Sequence, residues 1–508
     1  MTRVGYAAGA YDLFHVGHLN ILRRARSHCD YLIAGVVSDE MLTATKGKPP
    51  VVPLAERMEI VEAIRWVDQV HAETIPDKLV RTVAYANGMV FAGGEFSAVR
   101  PPGASAGSQE VSRQFLAAFD AESGDLISSW NPAPNARVFS LAVSPDGSRL
   151  YVGGDFTNIA GVGRGRIAAF DTSTLALQSN FRPYVSYRVT ALAADTDTVY
   201  LGGSFGLVAG QARNRLAAVA RADGALLPWN PDANWDVYAL DVSSSNATVY
   251  LGGDFDTIGG TASRAVAAVD SDLGAQLAFP AKSAMPPVTA QCDSKVRDVL
   301  VDPTGVYFAA AGNGSGCFDG TFAAELNDGS LRWRNACLGA TEALAMVGGS
   351  LYKGAHVHDC SSEGEFGESR PHRFLMVADP TTGKNGPWWP NTNAAGSTQV
   401  GPLGMATDGE QLFVAGDFTL VNGQGQQGLT RFAAGPDTSP RRPATPSART
   451  VGIGKVRVVF PATLDIHRRR PTQLGACLRR VSDEGVDLGG PEVPLVEADV
   501  LLPVEAGM

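Results

Sequence analysis

The chain has 508 residues, 44% of them hydrophobic and 19% charged, which is material for about three globular domains at roughly 150 residues each. The formal net charge is −10, and the acidity lies in the middle, where residues 80–436 carry 33 acidic and 23 basic side chains. Nothing resembles a basic nucleic-acid footprint, and no apolar run approaches the roughly 20 residues that cross a bilayer as a helix. Neither a nucleic-acid partner nor a membrane span is therefore expected.

From the start of the chain, Val4-Gly5-Tyr6-Ala7-Ala8 reads as a short buried strand and Gly9 opens a turn. Leu19, Leu22 and Ala25 then recur at helical spacing between Val16 and about His28. Tyr31 to Val37 is a second apolar strand, and Leu54 to Ile64 a second helix expected to turn Ile60, Ala63 and Ile64 inward. This β-α-β-α order predicts a parallel sheet with right-handed crossovers. No apolar signal core precedes the first strand, so a cytoplasmic chain is expected from the sequence as written.

His15 and His18 are three residues apart and share one face at the first turn of the first helix. A helix N-terminus presents unsatisfied N–H groups and partial positive charge, which suits phosphate. Gly17 between them leaves room for a close approach to the backbone. Two imidazoles there can donate hydrogen bonds as charge builds in an in-line displacement. A histidine pair in isolation reads as an incidental helix cap, but the surrounding string changes that reading. Gly9-x-Tyr11-Asp12-x-x-His15-x-Gly17-His18, after a strand and before an aliphatic helix, resembles the nucleotidyltransferase superfamily signature.

Ser38-Asp39-Glu40, then Lys46-Gly47-Lys48-Pro49-Pro50, then Glu56-Arg57 are similar to the glycerol-3-phosphate and ethanolamine-phosphate cytidylyltransferases. The resemblance implies a Rossmann-like α/β domain of HUP type. It also implies that His15 and His18 hold nucleotide phosphates and that Lys46 stabilises the transition state. Lys48 and Arg57 would lie near the substrates, Asp12 would order the loop around the histidines, and Gly9, Tyr11 and Gly17 would shape the nucleotide site. The implied reaction is attack of a small phosphate monoester on the α-phosphate of CTP with release of pyrophosphate, with Mg²⁺ on the phosphates and no metal site built by the protein. The family continues with a further strand, a Gly-Asp-Asp-type loop, another strand and an Arg-x-x-x-Ile-Ser-Thr stretch. None of these follows Lys78, so residues 1–79 are expected to form a truncated version of that domain.

The texture changes at Val80. Val90-Phe91-Ala92-Gly93-Gly94-Glu95-Phe96 returns as Leu150–Phe156, Val199–Phe205, Val249–Phe255 and Leu412–Phe418, with weaker copies at Val306–Gly312 and Leu351–Gly354. Between copies lie Leu116-Ala117-Ala118-Phe119-Asp120 and its relatives, then Trp130-Asn131-Pro132, Phe181-Arg182-Pro183 or Trp229-Asn230-Pro231. Glycines 94, 154, 203, 253, 312, 354 and 416 mark seven units separated by 42 to 62 residues. Units of that length made of strand-sized apolar runs predict a mostly-β, seven-bladed β-propeller over residues 80–435, whose blades must stack to bury their faces. The segment resembles secreted actinobacterial propeller proteins with quinoprotein-like and kelch-like repeats, and its ligand is unknown. Asp155, Asp254 and Asp417 are candidates for a calcium-lined channel or simple turn formers, and His356-Val357-His358-Asp359 with His372 for a metal site. Cys292, Cys317, Cys337 and Cys360 match no zinc spacing, which leaves disulfides in an oxidising compartment or buried thiols.

Residues 436–450 are a Pro-rich linker. Lys455 to Phe460 reads as a strand resembling the opening of a fibronectin type III-like domain, and that pattern stops near His467, so residues 451–508 are expected to be a short β or disordered tail. Two function classes follow: a nucleotidyltransferase resting on residues 1–79, or a non-catalytic propeller that binds a ligand or sits at a cell surface. In the second, the N-terminal segment is the relic of a fused or mis-assembled reading frame.

Overall fold

The computed structural model describes residues 4–433 except 38, 40–41, 43–49, 74–77, 102–103, 105–107, 290–291, 314–316, 369–371, 391 and 395–400, together with 447–452, 455–459 and 499–503. The N-terminal part is a three-stranded parallel sheet with two helices. In chain order these are β1 (Val4–Gly9), α1 (Val16–Arg26), β2 (Tyr31–Val37), α2 (Leu54–Glu62) and β3 (Gln69–Glu73). β2 is central, pairing Val4 with Tyr31 on one side and Ile33 with Gln69 on the other. Its Leu32, Ala34 and Val36 are buried against Ala7, Tyr11, Leu22 and Val61. The outer edge of β1 has no partner strand among the described residues.

Of the three residues the apolar pattern turned inward around α2, Ile64 packs half-buried against the core and the other two do not. Arg57 and Val61 are buried, while Ile60 is exposed and Ala63 lies past the helix end on the surface. The helix is rotated because the Arg57 guanidinium has backbone carbonyls to satisfy beneath it. Polar demand here overrides the hydrophobic count.

The rest of the chain is mostly β. Among the described residues seven antiparallel sheets follow, six of three strands and the fifth of four, each with the glycine-rich strand paired between the leading strand and the next; in five of them a short two-stranded outer hairpin separates the glycine-rich strand from the third strand. In the first sheet Met89–Phe96 lies between Lys78–Ala86 and Leu116–Asp120. The leading strand of each sheet packs on the leading strand of the next. The series runs from Lys78–Ala86 through Val138–Val143, Val189–Ala194, Val237–Ser243, Asp293–Asp302 and Thr341–Val347 to Pro402–Thr407, which packs in turn on Lys78–Ala86. Tyr85 stacks on Phe413 across that last junction at 5.7 Å.

The paired glycines have separate steric jobs. A Cβ on the first would strike the next sheet: Gly93 would meet Val138 at 2.5 Å, Gly153 would meet Val189 at 2.8 Å and Gly252 would meet Val296 at 2.4 Å. A Cβ on the second would strike a carbonyl of the leading strand in its own sheet, 2.1 Å away for Gly94 and 2.2 Å for Gly154. That strand bulges at the same register in both sheets. Tryptophans clamp neighbouring sheets: Trp130 lies edge-on between Phe91 and Phe170, and its indole N–H donates to the Leu175 carbonyl.

Two disulfides, Cys292–Cys317 and Cys337–Cys360, close short loops in the fifth and sixth units. Beyond residue 446, Ser447–Gly452, Lys455–Val459 and Asp499–Pro503 pair as a small antiparallel sheet. Residues 436–446 of the Pro-rich segment lie outside the described residues. No helix among the described residues is long and apolar enough to cross a membrane.

Candidate active site

α1 begins with a reciprocal cap made by the two histidines. His15 is the N-cap residue in extended conformation, and its Nδ1 accepts the Gly17 backbone N–H at 3.0 Å. Nδ1 of His18 accepts the His15 backbone N–H at 3.4 Å. This is the geometry of a capping box with imidazoles in place of hydroxyl and carboxylate. It has a chemical consequence: with Nδ1 occupied as an acceptor, the neutral ring carries its proton on Nε2. The two rings lie 4.2 Å apart with 32° between their planes. Two Nε2–H donors are thus placed side by side at a helix N-terminus, where an anion gains most from the helix dipole.

Gly17 and Gly9 make room for side chains of the site. A Cβ on Gly17 would sit 2.6 Å from Cε1 of His15, so the glycine admits the capping ring itself. A Cβ on Gly9 would stand 3.0 Å from the Tyr11 ring. Tyr11 adopts φ +49° and is buried, with its hydroxyl donating to the Ala7 carbonyl at 3.0 Å and burial pushing its pKa up to about 12. It is an interior strut whose ring meets His18 edge-on at 5.6 Å.

Asp12 reaches forward in the chain. Its carboxylate accepts the backbone N–H of Val52 at 2.9 Å and of Val51 at 3.1 Å, and those bonds, Val52 first, hold its pKa below the usual carboxylate range. It therefore anchors the segment before α2 to the turn before α1.

Arg57 lies beneath that junction, wholly buried. Nη1 donates to the Ala10 and Val37 carbonyls, each at 2.6 Å, and Nε donates to the Val52 carbonyl at 2.8 Å. Nη2 pairs with Asp39, whose other carboxylate oxygen accepts the Leu54 N–H at 3.2 Å in the first turn of α2. The guanidinium thus fastens the C-terminal ends of β1 and β2 and the entry to α2, the edge of the sheet where the histidines stand. Its partners are backbone carbonyls and Asp39 beneath the site, and it has no solvent exposure. The Arg and Asp were visible in the sequence, but their mutual pairing leaves no spacing signal across 18 residues. Lys46 and Lys48 lie outside the described residues.

Two other places singled out in the sequence take on structural explanations. The acidic residues after the paired glycines face cations: Asp155 holds Arg188 through two bonds of 2.8 and 2.9 Å, and Asp254 meets Lys295 at 2.8 Å. Both cations belong to the leading strand of the following sheet or its approach. The His356 and His358 rings lie 6.2 and 5.5 Å from His372, and burial, the largest cause, pushes the His356 pKa down to about 4. Among the described residues no group of three or more His, Cys, Asp or Glu could hold a metal ion.

Residues 6–96 match the family model described as Cytidylyltransferase-like, so the N-terminal segment is a cytidylyltransferase-like domain. Residues of this chain are 55% identical over 65 positions to an ethanolamine-phosphate cytidylyltransferase of Arabidopsis thaliana, covering 13% of this chain and 15% of that protein. They are 44% identical over 62 positions to an FAD synthase of Pyrococcus abyssi, covering 12% of this chain and 42% of that protein. The chain thus spans less than half the length of these relatives. Among solved structures, Kuenenia stuttgartiensis hydrazine synthase superposes on 72% of this chain and 97% of its own at a TM-score of 0.46 and 13% identity, too loose a likeness to place the fold. The family match extends into Lys78–Phe96, yet those residues form antiparallel strands of the first sheet of the β-rich part rather than adding to β1.

Proposed function

We propose that the N-terminal domain is a nucleotidyltransferase of cytidylyltransferase type, which transfers CMP from CTP to a small phosphate monoester and releases pyrophosphate. The observation that carries this reading is the reciprocal cap of His15 and His18, which engages Nδ1 of each ring and holds the two rings 4.2 Å apart at the start of α1. In the transition state of α-phosphate attack, negative charge grows on the bridging and non-bridging oxygens. Preorganised donors at that point lower the barrier without reorienting. Lys46 and Lys48 are the further cations of the proposal, with Mg²⁺ carried on the triphosphate oxygens to neutralise charge and orient the leaving group. The names of the relatives support the chemistry of nucleotide transfer; the acceptor, glycerol 3-phosphate or ethanolamine phosphate, is part of the proposal.

Calorimetry of CTP with Mg²⁺ against the full chain tests it, beside a His15→Ala/His18→Ala variant. Saturable binding lost in the variant, followed by pyrophosphate release with glycerol 3-phosphate or ethanolamine phosphate, is the expected result. A folded chain that binds no CTP would defeat it.

A second reading is favoured by the fate of Lys78–Phe96. We infer that the seven stacked sheets form a closed β-propeller, the folded mass of the molecule. In this reading it is an exported binding module that took residues 78–96 for its own first sheet. The two disulfides support an oxidising compartment for it. Intact-mass measurement after alkylation without reductant, on protein made in its native host, distinguishes the compartments: four blocked cysteines in the β-rich part would agree with export, and four alkylated ones with the cytoplasm.

A further inference from the structure

The seven repeats provide their own control, because a side chain that departs from the pattern can be compared with its counterparts in the same molecule. In the third repeat, Asn214 donates to Asp232 at 2.9 Å, an exposed pair that links the residues after the outer hairpin to the Trp-Asn-Pro segment. Ala233 N–H donates to the Asn214 carbonyl, just as Val185 N–H donates to the Gly165 carbonyl one repeat earlier. Gly165 and Tyr184 therefore stand where the third repeat has Asn214 and Asp232. Arg182 stands where the first and third repeats have Asn131 and Asn230.

The second repeat lacks that pair and has at this place a cleft of about 320 Å³, lined by Arg164, Gly165, Arg166, Arg182 and Tyr184 among others and by no carboxylate. Gly165 is required there, since a Cβ would lie 2.8 Å from the Tyr184 ring. Arg164 is 5% exposed and holds the Gly163 and Gln178 carbonyls, as Arg113 and Arg213 hold theirs, and the three share an Nε without a hydrogen-bond partner, so what sets the second repeat apart is Arg182 rather than Arg164. Arg182 is the added charge. It bonds only the Ser179 carbonyl, at 2.6 Å, and Arg166 bonds the Asp155 carbonyl. Among the described residues none of the three is paired with an acidic side chain. Burial first, and then the charge of Arg182, weakens the hold of Arg164 on its proton, as expected of cations crowded without a counter-ion. The Tyr184 ring is 59% exposed at the rim.

We propose that this cleft in the second repeat binds a multi-oxygen monoester anion, a phosphate or sulfate, carried on a small ring-bearing molecule. The guanidinium of Arg182 supplies planar, charge-assisted donors to the anion, and Tyr184 packs on the ring that bears it. The site is distinct from the histidine pair and does not depend on the chemistry proposed there.

The test is titration of the full chain with inorganic phosphate, inorganic sulfate and phenyl phosphate, followed by calorimetry. Phenyl phosphate is expected to bind saturably and more tightly than inorganic phosphate, and to weaken as sodium chloride is raised. Comparison of the phosphate and sulfate arms identifies the preferred anion. Arg182→Asn, which installs the residue of the neighbouring repeats and so keeps the fold, should weaken binding about tenfold or more. Tyr184→Ala should bring phenyl phosphate down to the level of inorganic phosphate. Gly165→Asn/Tyr184→Asp, which rebuilds the third repeat's pair, should abolish binding. Absence of saturable binding, binding indifferent to Arg182→Asn, or loss confined to His15→Ala/His18→Ala would each overturn the proposal.

Discussion

Replacing Arg57 by Met separates a residue that builds the histidine site from one that touches substrate. The guanidinium makes four bonds, to the carbonyls of Ala10, Val37 and Val52 and to Asp39, with no solvent exposure. Met fills similar volume but leaves three carbonyls and a carboxylate without their donor. Breaking a buried charged network by removing one partner costs about 3–5 kcal/mol. A domain of some 70 residues has roughly 3.5–10 kcal/mol of stability at about 0.05–0.15 kcal/mol per residue. The loss is therefore between about a third of the total and all of it. Hydrogen exchange followed by mass spectrometry reads it by segment. Peptides covering Val4–Gly9 and Tyr31–Val37 should lose protection in Arg57→Met, while those of the β-rich sheets keep theirs. Arg57→Lys, which retains charge but cannot span three carbonyls, should fall between. If protection in β1 and β2 is unchanged and only the KM for a nucleotide or acceptor rises, Arg57 acts on substrate and the positioning argument is wrong.

Three further outcomes follow from the same geometry. Gly17→Ala drives a methyl against the His15 ring, so it should reproduce the effect of His15→Ala on CTP binding, a loss of about fivefold given that an N-cap contributes about 1 kcal/mol; unchanged affinity by calorimetry would refute the capping role. Asp298 lies deep in the fifth sheet, accepting the Leu344 N–H of the next, and burial, its largest cause, pushes its pKa up to about 7. A raised carboxyl pKa means that the folded state binds the extra proton. Stability from this group is full below about pH 4 and lost as pH rises through 7, so Asp298→Asn should flatten the fall in Tm between about pH 4 and 7 by an amount worth about 1–2 kcal/mol, reduced from full burial because the carboxylate keeps some solvent contact; an identical fall in the variant would count against it. Lys353 is 1% exposed and its ammonium donates to Asn385 at 2.6 Å, where other repeats place Val152 beside Leu177 or Leu201 beside Leu226. Lys353→Leu/Asn385→Leu should raise thermal stability by about 1–4 kcal/mol, as buried polar pairs replaced by packed apolar ones often do, and a lowered Tm would show that the polar pair is required.

Much of the architecture was legible because it is written in repetition and periodicity. The paired glycines recur at positions where one admits the next sheet and the other admits a bulged carbonyl, so sterics alone enforce them in unit after unit. The string from Gly9 to His18 was equally legible, since a short loop must place its groups within a few residues. What could not be read was anything made by side chains distant in sequence. Arg57 had been assigned to the substrates by resemblance, and only the fold reveals that Ala10, Val37 and Val52 converge on it. The apolar count for α2 picked Ile60 as inward for the same reason, being blind to the carbonyls that draw Arg57 beneath the helix.

The join between the two parts follows the same logic. A strand's pairing is decided by what offers it the better edge, and Lys78–Phe96 had two candidates. Joining the parallel sheet beside β1 would leave Met89–Phe96 without Leu116–Asp120, and Gly93 and Gly94 without the neighbours that require them. Joining the antiparallel sheet satisfies both ladders and buries Phe91, Ala92 and Phe96. Local hairpin pairing, with only Asn87 and Gly88 between its strands, also closes faster than a long parallel crossover. The β-rich part therefore takes the contested segment on both energetic and kinetic grounds. Among the described residues β1 keeps an open edge, as β3 does on the other side, and the histidine pair stands at the end of this three-stranded sheet. If that edge limits the domain, a peptide supplying a strand parallel to β1 should slow exchange of the Val4–Gly9 amides without altering those of Gln69–Glu73. Equal protection of both strands, with or without the peptide, would mean that the three-stranded sheet is already sufficient to hold the site.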